Sequence, residues 1–163
     1  MYTRIIVPLD GSDVAEQAIT PAIEFARRMG IPMHLIRIAD LPHTEVPALF
    51  GFVGDGRFVA EQVRSEVALA SEYLAENVRS LTELGLTVTS GVEVGMAARA
   101  IVDSTKPGDV IIMASHGRSG IARWYIGSVA EQVMRLSPVP VMVVRGDVVD
   151  AVPTQPPHIA LAS

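Results

Sequence analysis

Five short runs of strand character alternate with four segments of helical spacing, and this alternation most narrows what the chain can fold into. RIIVPL (4–9), MHLIRIAD (33–40), VIIMAS (110–115) and VMVVR (141–145) are apolar at nearly every position rather than at every second one. A strand of that kind is buried on both faces, as in a parallel sheet covered on each side. LTVTSGVEV (86–94) is a further strand, with alternating character. Between them, Val14, Ala18, Ala22, Phe25 and Met29 fall on one helical face, and so do Val59, Val63, Val67, Ala70, Leu74, Val78 and Leu81. MAARAIVDS after Gly95 and SVAEQVMRL from Ser128 give two shorter helices. The order β-α-β-α-β-α-β-α-β predicts an α/β fold, an open five-stranded parallel sheet with helices on both faces.

Local signals punctuate that frame. Ser12 suits an N-cap, Pro21 predicts a kink inside the first helix, Gly30 ends it and Gly85 ends the long one. Residues 41–56 hold two prolines and three glycines and read as a loop. Its Leu49, Phe50, Phe52 and Val53 would form a lid, a partner patch or a tucked local core. The 163 residues make one domain, expected over 1–146, followed by a tail over 147–163 with three prolines and no periodicity, expected to be disordered.

Composition removes several functions. A formal charge of −5 disfavours non-specific binding to nucleic acid or to an anionic membrane, and no apolar stretch reaches the roughly 20 residues that span a bilayer. The absence of cysteine excludes disulfides, thiol nucleophiles and cysteine zinc sites. The N-terminus lacks the pattern of a secretory signal, so the expectation is a cytoplasmic protein. The single lysine, Lys106, precedes Pro107, so no Walker A motif exists; GFVGDG (51–56) has the wrong spacing for a dinucleotide fingerprint. His34, His43, His116 and His158 are scattered without metal-ligand spacing, and Ser119 lies outside any G-x-S-x-G.

Two strand ends carry candidate chemistry, because ligands of open α/β sheets settle beyond the carboxyl ends of the strands. Asp10 follows the first strand, where its carboxylate either accepts bonds from ribose hydroxyls or shapes the turn before Gly11. ASHGRSGIARWYIGS (114–128) follows the fourth strand. There Gly117, Gly127, Arg118, Arg123 and the helix start at Ser128 could cradle a phosphate. Alternatively, Ser128 and Glu131 form an S-x-x-E capping box that satisfies the helix start without a ligand.

VIIMASHGRSGIARWYIGSVAEQVMRLSPVPVMVVR and IIVPLDGSDVAEQAI together resemble the two signature segments of the universal stress protein family, over roughly residues 3–145. The resemblance implies a Rossmann-like, adenine nucleotide alpha hydrolase-like fold. Nucleotide-binding members of that family carry Gly-x-x-Gly, nine residues, then Gly-Ser/Thr. Gly117, Gly127 and Ser128 match this pattern, and Ala114 replaces its first glycine. The resemblance implies that Asp10 holds the ribose, the Ile38 backbone meets the adenine, and Pro8 and Met113 wall the base. Ser115, His116, Gly117, Arg118, Gly127, Ser128 and Val129 would line the phosphates. ATP is the expected ligand, with ADP, AMP and cAMP as alternatives and Mg2+ carried on the phosphates. It further implies a homodimer through residues 141–145 and nucleotide-linked sensing, with at most slow ATP hydrolysis. The alternative is a dimeric stress-response interaction module that binds no nucleotide.

Overall fold

The computed structural model describes residues 1–39, 56–117 and 127–147, without the side chains of 56–59, 116–117 and 146–147. The elements run β1 (Arg4–Pro8), α1 (Asp13–Glu16), α2 (Ile19–Met29), β2 (Met33–Ala39), α3 (Gly56–Glu83), β3 (Val88–Val94), α4 (Ala97–Asp103), β4 (Asp109–Gly117), α5 (Ser128–Leu136) and β5 (Val141–Asp147). The five strands form one parallel sheet in the order β3-β2-β1-β4-β5. β1 is central, and the chain changes direction across the sheet between β1 and β4, the switch point at which such sheets hold ligands. The expected α/β architecture is therefore the observed one.

Side chains alternate across each strand and feed two separate cores. Ile5, Val7, Met33, Leu35, Val110 and Ile112 face Ala18, Ala22 and Ala26 of the first helical region and Leu74 and Leu81 of α3. Ile6, Ile36, Ile111 and Met113 face Ala98 and Ile101 of α4 and Ala130 and Val133 of α5. This double burial is why the strands read as continuous apolar runs. No helix among the described residues is long and apolar enough to cross a membrane.

The first helical segment departs from the expectation in an instructive way. Instead of one helix kinked at Pro21, there are two, α1 and α2, separated at Gln17–Ala18. Proline has no N–H to give the carbonyl four residues earlier, and its ring collides with that carbonyl. The break accordingly falls at residue 17, where Gln17 N–H and Ala18 N–H donate to Val14 and Ala15 in the tighter three-residue pattern. Ser12 caps α1, its hydroxyl accepting from the Ala15 N–H at 3.2 Å. Gly30 closes α2 in the left-handed region, as its position predicts.

β5 continues to Asp147, two residues past the expected end at Arg145. The loop expected over 41–56 gives way to α3 at Gly56; the rest of it, with Leu49, Phe50, Phe52 and Val53, lies outside the described residues. So do Arg118, Ser119, Arg123, His43, His158 and the tail beyond residue 147.

Candidate functional site

The carboxyl ends of β1 and β2 open into a cleft of about 590 Å3, lined by Asp10, Arg37, Ile38 and the α3 residues Gln62, Val63, Ser65 and Glu66. Strand register brings Asp10 and Ile38 together. Pro8 pairs with Ile36, and the Leu9 N–H donates to the Ile36 carbonyl at 2.8 Å, so Asp10 emerges level with Ile38. On the other side of β1, Ile6 pairs with Ile111, which places Pro8 level with Met113. Met113 and Ser115 are buried in β4. His116 and Gly117 complete that strand.

Asp10 sits on the sharp turn between β1 and α1. Its Oδ1 accepts from the Ser12 N–H at 2.9 Å and from the Ser12 hydroxyl at 2.6 Å. Oδ2 has no hydrogen-bond partner among the described residues, and the side chain is exposed toward the cleft. The turn-shaping reading of Asp10 is therefore observed, through one carboxylate oxygen.

The motif segment is also clearer than its spacing. Ala114 lies within the β4 ladder, opposite Val144, and packs toward the core shared with α2 and α3. Extended backbone accepts any residue, so this position does not need glycine for its conformation. At α5 the N-cap is Gly127, with no side-chain capping bond; Ser128 is already the first helical residue. The capping box expected of Ser128 and Glu131 is therefore not formed. A side chain on the first helical residue cannot reach the N2 or N3 N–H as an N-cap does. The first-turn N–H groups, which have no partner within the helix, remain directed out of it.

Among the described residues, the expected site residues fall into two places rather than one cavity. Ser128 lines a separate depression of about 430 Å3 with Glu131, Gln132, Arg135 and Leu136. Val129 is exposed on α5. Arg118, expected beside the phosphates, lies outside the described residues.

Five cleft residues escaped the sequence. Gln62, Val63, Ser65 and Glu66 carry no motif, and only the docking of α3 brings them to the strand ends. Arg37 did leave a signal, a lone charge inside LIRIA. Its guanidinium carbon lies 5.0 Å from the centroid of the Tyr73 ring, a cation–π contact. The Tyr73 hydroxyl donates to Glu16 Oε1 at 2.8 Å. Burial, then the bond to Glu16 and its negative charge, push the phenol well above its ordinary range.

The chain matches the model of the universal stress protein family over residues 1–145. It is 30% identical over 148 residues to universal stress protein MJ0531 of Methanocaldococcus jannaschii, covering 89% of this chain and 83% of the relative. Universal stress protein UspA of Lactobacillus plantarum superposes with a TM-score of 0.72 at 26% identity, over 88% of this chain and 98% of that one. A universal stress protein solved in complex with cAMP shares the fold, with a TM-score of 0.54 and 20% identity over 89% and 98% of the two chains.

Proposed function

The chain belongs to the universal stress protein family, and from that premise we propose that it binds an adenine nucleotide, ATP first, at the carboxyl ends of β1, β2 and β4. One observation carries the reading. At the end of β1, Asp10, with a carboxylate oxygen that has no partner among the described residues, lines a cleft shared with the end of β2 and α3. In this reading Asp10 Oδ2 accepts from the ribose hydroxyls, and the Ile38 backbone meets the edge of the adenine. Pro8 and Met113 flank the base. Ser115, His116, Gly117, Arg118, Gly127, Ser128 and Val129 surround the phosphates, with Mg2+ riding on them. The start of α5 supports this, since first-turn N–H groups with no partner within the helix favour phosphate oxygens.

The protein acts in this reading as a cytoplasmic nucleotide-dependent sensor, with hydrolysis slow or absent. The domain ends near residue 146. Two copies pair through β5, an edge strand whose Met142 is exposed and whose apolar run would otherwise face water. The relative solved with cAMP is consistent with an adenine ligand, although at its identity it carries the fold alone. The rival reading is a nucleotide-free interaction module; an extended Ala114, which needs no glycine for its backbone, and a Gly127 cap without a side-chain bond favour the nucleotide reading over it.

Thermal denaturation with added nucleotide tests the proposal. A ligand at 100 times its Kd stabilises the native state by about 2.7 kcal/mol, a rise in Tm of roughly 5–11 °C for a domain of this size. Asp10→Ala should remove most of that rise. No shift with millimolar ATP, ADP, AMP or cAMP would sink the reading.

A further inference from the structure

The turn that carries Asp10 is held from within by Ser12, whose N–H and hydroxyl donate to Asp10 Oδ1, and α1 packs on β4 and β5. The turn leads into α1, four residues long and cut off from α2 by the break that Pro21 imposes. A single helical turn is not stable by itself, because nucleation fixes several residues for one hydrogen bond. Ser12 fixes only one carboxylate oxygen, and the turn itself is free to shift unless elements outside it add a second brace.

The surroundings supply it. Gly11 has φ of +84°, and a Cβ built on it would lie 3.1 Å from Arg37 Nη1 and 3.5 Å from both Cζ and Nη2. The guanidinium thus lies beside Gly11, close to the space a side chain there would fill. The same guanidinium stacks on Tyr73, whose hydroxyl reaches over to Glu16 at the end of α1. Arg37 rides on β2 and Tyr73 on α3, two long elements anchored in the core. The turn and α1 are thus tied to the scaffold at both ends, at Gly11 and at Glu16. Among the described residues Arg37 makes no carboxylate ion pair.

We propose that Arg37 is a positioning residue: pressed between neighbours on α3 and the Gly11 turn, it aims Asp10 Oδ2 into the cleft and so sets the preference for a ligand with ribose hydroxyls. The inference rests on the nucleotide reading above for its ligand, and on the observed contacts for its mechanism. A guanidinium is suited to this task, since its flat, weakly hydrated plane can stack on a ring and cover a glycine. Lysine offers no such plane.

The test compares binding of ATP and 2′,3′-dideoxy-ATP by calorimetry in the wild type, Arg37→Met, Arg37→Lys and Tyr73→Leu. A charge-assisted hydrogen bond from ribose to Asp10 gives the wild type about a tenfold preference for ATP. Arg37→Met and Tyr73→Leu should bring that preference close to one by weakening ATP alone, and Arg37→Lys should restore little of it. Equal weakening of both nucleotides overturns the proposal, because a general packing role or a phosphate contact would act on both. Tyr73→Leu serves if Arg37→Met does not fold.

A second arm needs no ligand. The Ser12 N–H bonds to Asp10 Oδ1, so its hydrogen exchange by NMR reports the order of the turn. Exchange at Ser12 should quicken about tenfold in Arg37→Met relative to Leu9, whose N–H is held by Ile36. Unchanged Ser12 exchange overturns the brace. A wild type that binds neither nucleotide overturns the nucleotide reading, and the exchange arm then decides the brace by itself.

Discussion

Arg4, at the start of β1, is held by a carboxylate, whereas Arg37, near the end of β2, is held by a ring. Arg4 Nε donates to Asp109 Oδ1 at 3.0 Å and Nη2 to Oδ2 at 2.6 Å, with Nη2 also 3.3 Å from the Ser104 carbonyl. Asp109 is 2% exposed, and its Oδ2 accepts the Lys106 N–H as well. Both oxygens of Asp109 are thus taken up by partners among the described residues. At the opposite end Arg37 meets Tyr73 and Gly11, and one Asp10 oxygen has no partner among the described residues. The Arg4–Asp109 pair at the amino end of the sheet is closed on itself, whereas among the described residues Asp10 at the carboxyl end keeps an unpartnered oxygen. Stability and binding should therefore respond separately to mutation.

The largest effect belongs to the closed end. Asp109→Ala leaves a partly buried guanidinium and the Lys106 N–H without their acceptor, which should cost about 3 kcal/mol in urea denaturation. Nucleotide affinity measured well below the Tm should not change. A loss under about 1 kcal/mol would place this pair with ordinary surface pairs and break the contrast. Acid should reveal the same end. Burial raises the Asp109 carboxyl, but the Arg4 bond, the Lys106 N–H and both positive charges outweigh it and hold it below its ordinary value of 3.8. Burial and the charge of Arg4 lower His34 from 6.5, so the folded state favours the neutral ring that bonds Thr89 at 2.8 Å. Both groups thus add stability above their unfolded pKa values that is lost as pH falls through the folded ones. His34 begins the loss below about pH 6.5, and Asp109 extends it below pH 3.8. Denaturation between pH 7 and 5 should show a shallower decline in His34→Gln than in the wild type.

A pair of glycines sharpens the comparison at the open end. Gly11 and Gly30 both have positive φ, at +84° and +65°, yet only Gly11 has Arg37 against it; around Gly30 a Cβ would meet nothing within 4 Å. Gly30→Ala should cost about 1 kcal/mol for the left-handed backbone alone. Gly11→Ala should cost more, about 2 kcal/mol, because the methyl must also displace the guanidinium. Equal losses would mean that Arg37 does not press on the turn in solution.

The contrast between the ends also separates what could be read from the chain and what could not. β1 and β4 were legible because burial on two faces leaves an unbroken apolar run. Pro21 announced a disruption, but its steric conflict acts four residues upstream, so the break falls at Gln17 rather than at the proline. Ser128 and Glu131 matched a capping box, yet Gly127, which has no side chain, occupies the cap. Asp10 was legible because it follows a strand directly. Arg37 was visible only as a misplaced charge, since its partners Gly11 and Tyr73 come from the turn after β1 and from α3. Sheet order explains the remainder: β3 is third in the chain but at an edge, and the alternation of elements alone does not dictate the order that sets β1 beside β4.

The smallest expected effect concerns the other end of the brace. Tyr73→Phe keeps the ring under Arg37 and removes only the bond to Glu16, which should cost about 1 kcal/mol at pH 7. Its pH dependence is more telling than its size. Burial first, and then Glu16, raise the phenol above its usual 10.0. The folded state therefore holds this proton more tightly than the unfolded chain does. The associated stability is complete below pH 10.0 and is lost as pH rises from there toward the folded pKa. Urea denaturation at pH 9 and pH 11 should show the wild type losing more stability across that interval than Tyr73→Phe. Acid would then weaken the molecule through the Arg4 end and alkali through the Arg37 end. Parallel losses in the two proteins would show that Tyr73 titrates as a solvent-exposed phenol, and the anchor at Glu16 would contribute nothing to holding α1.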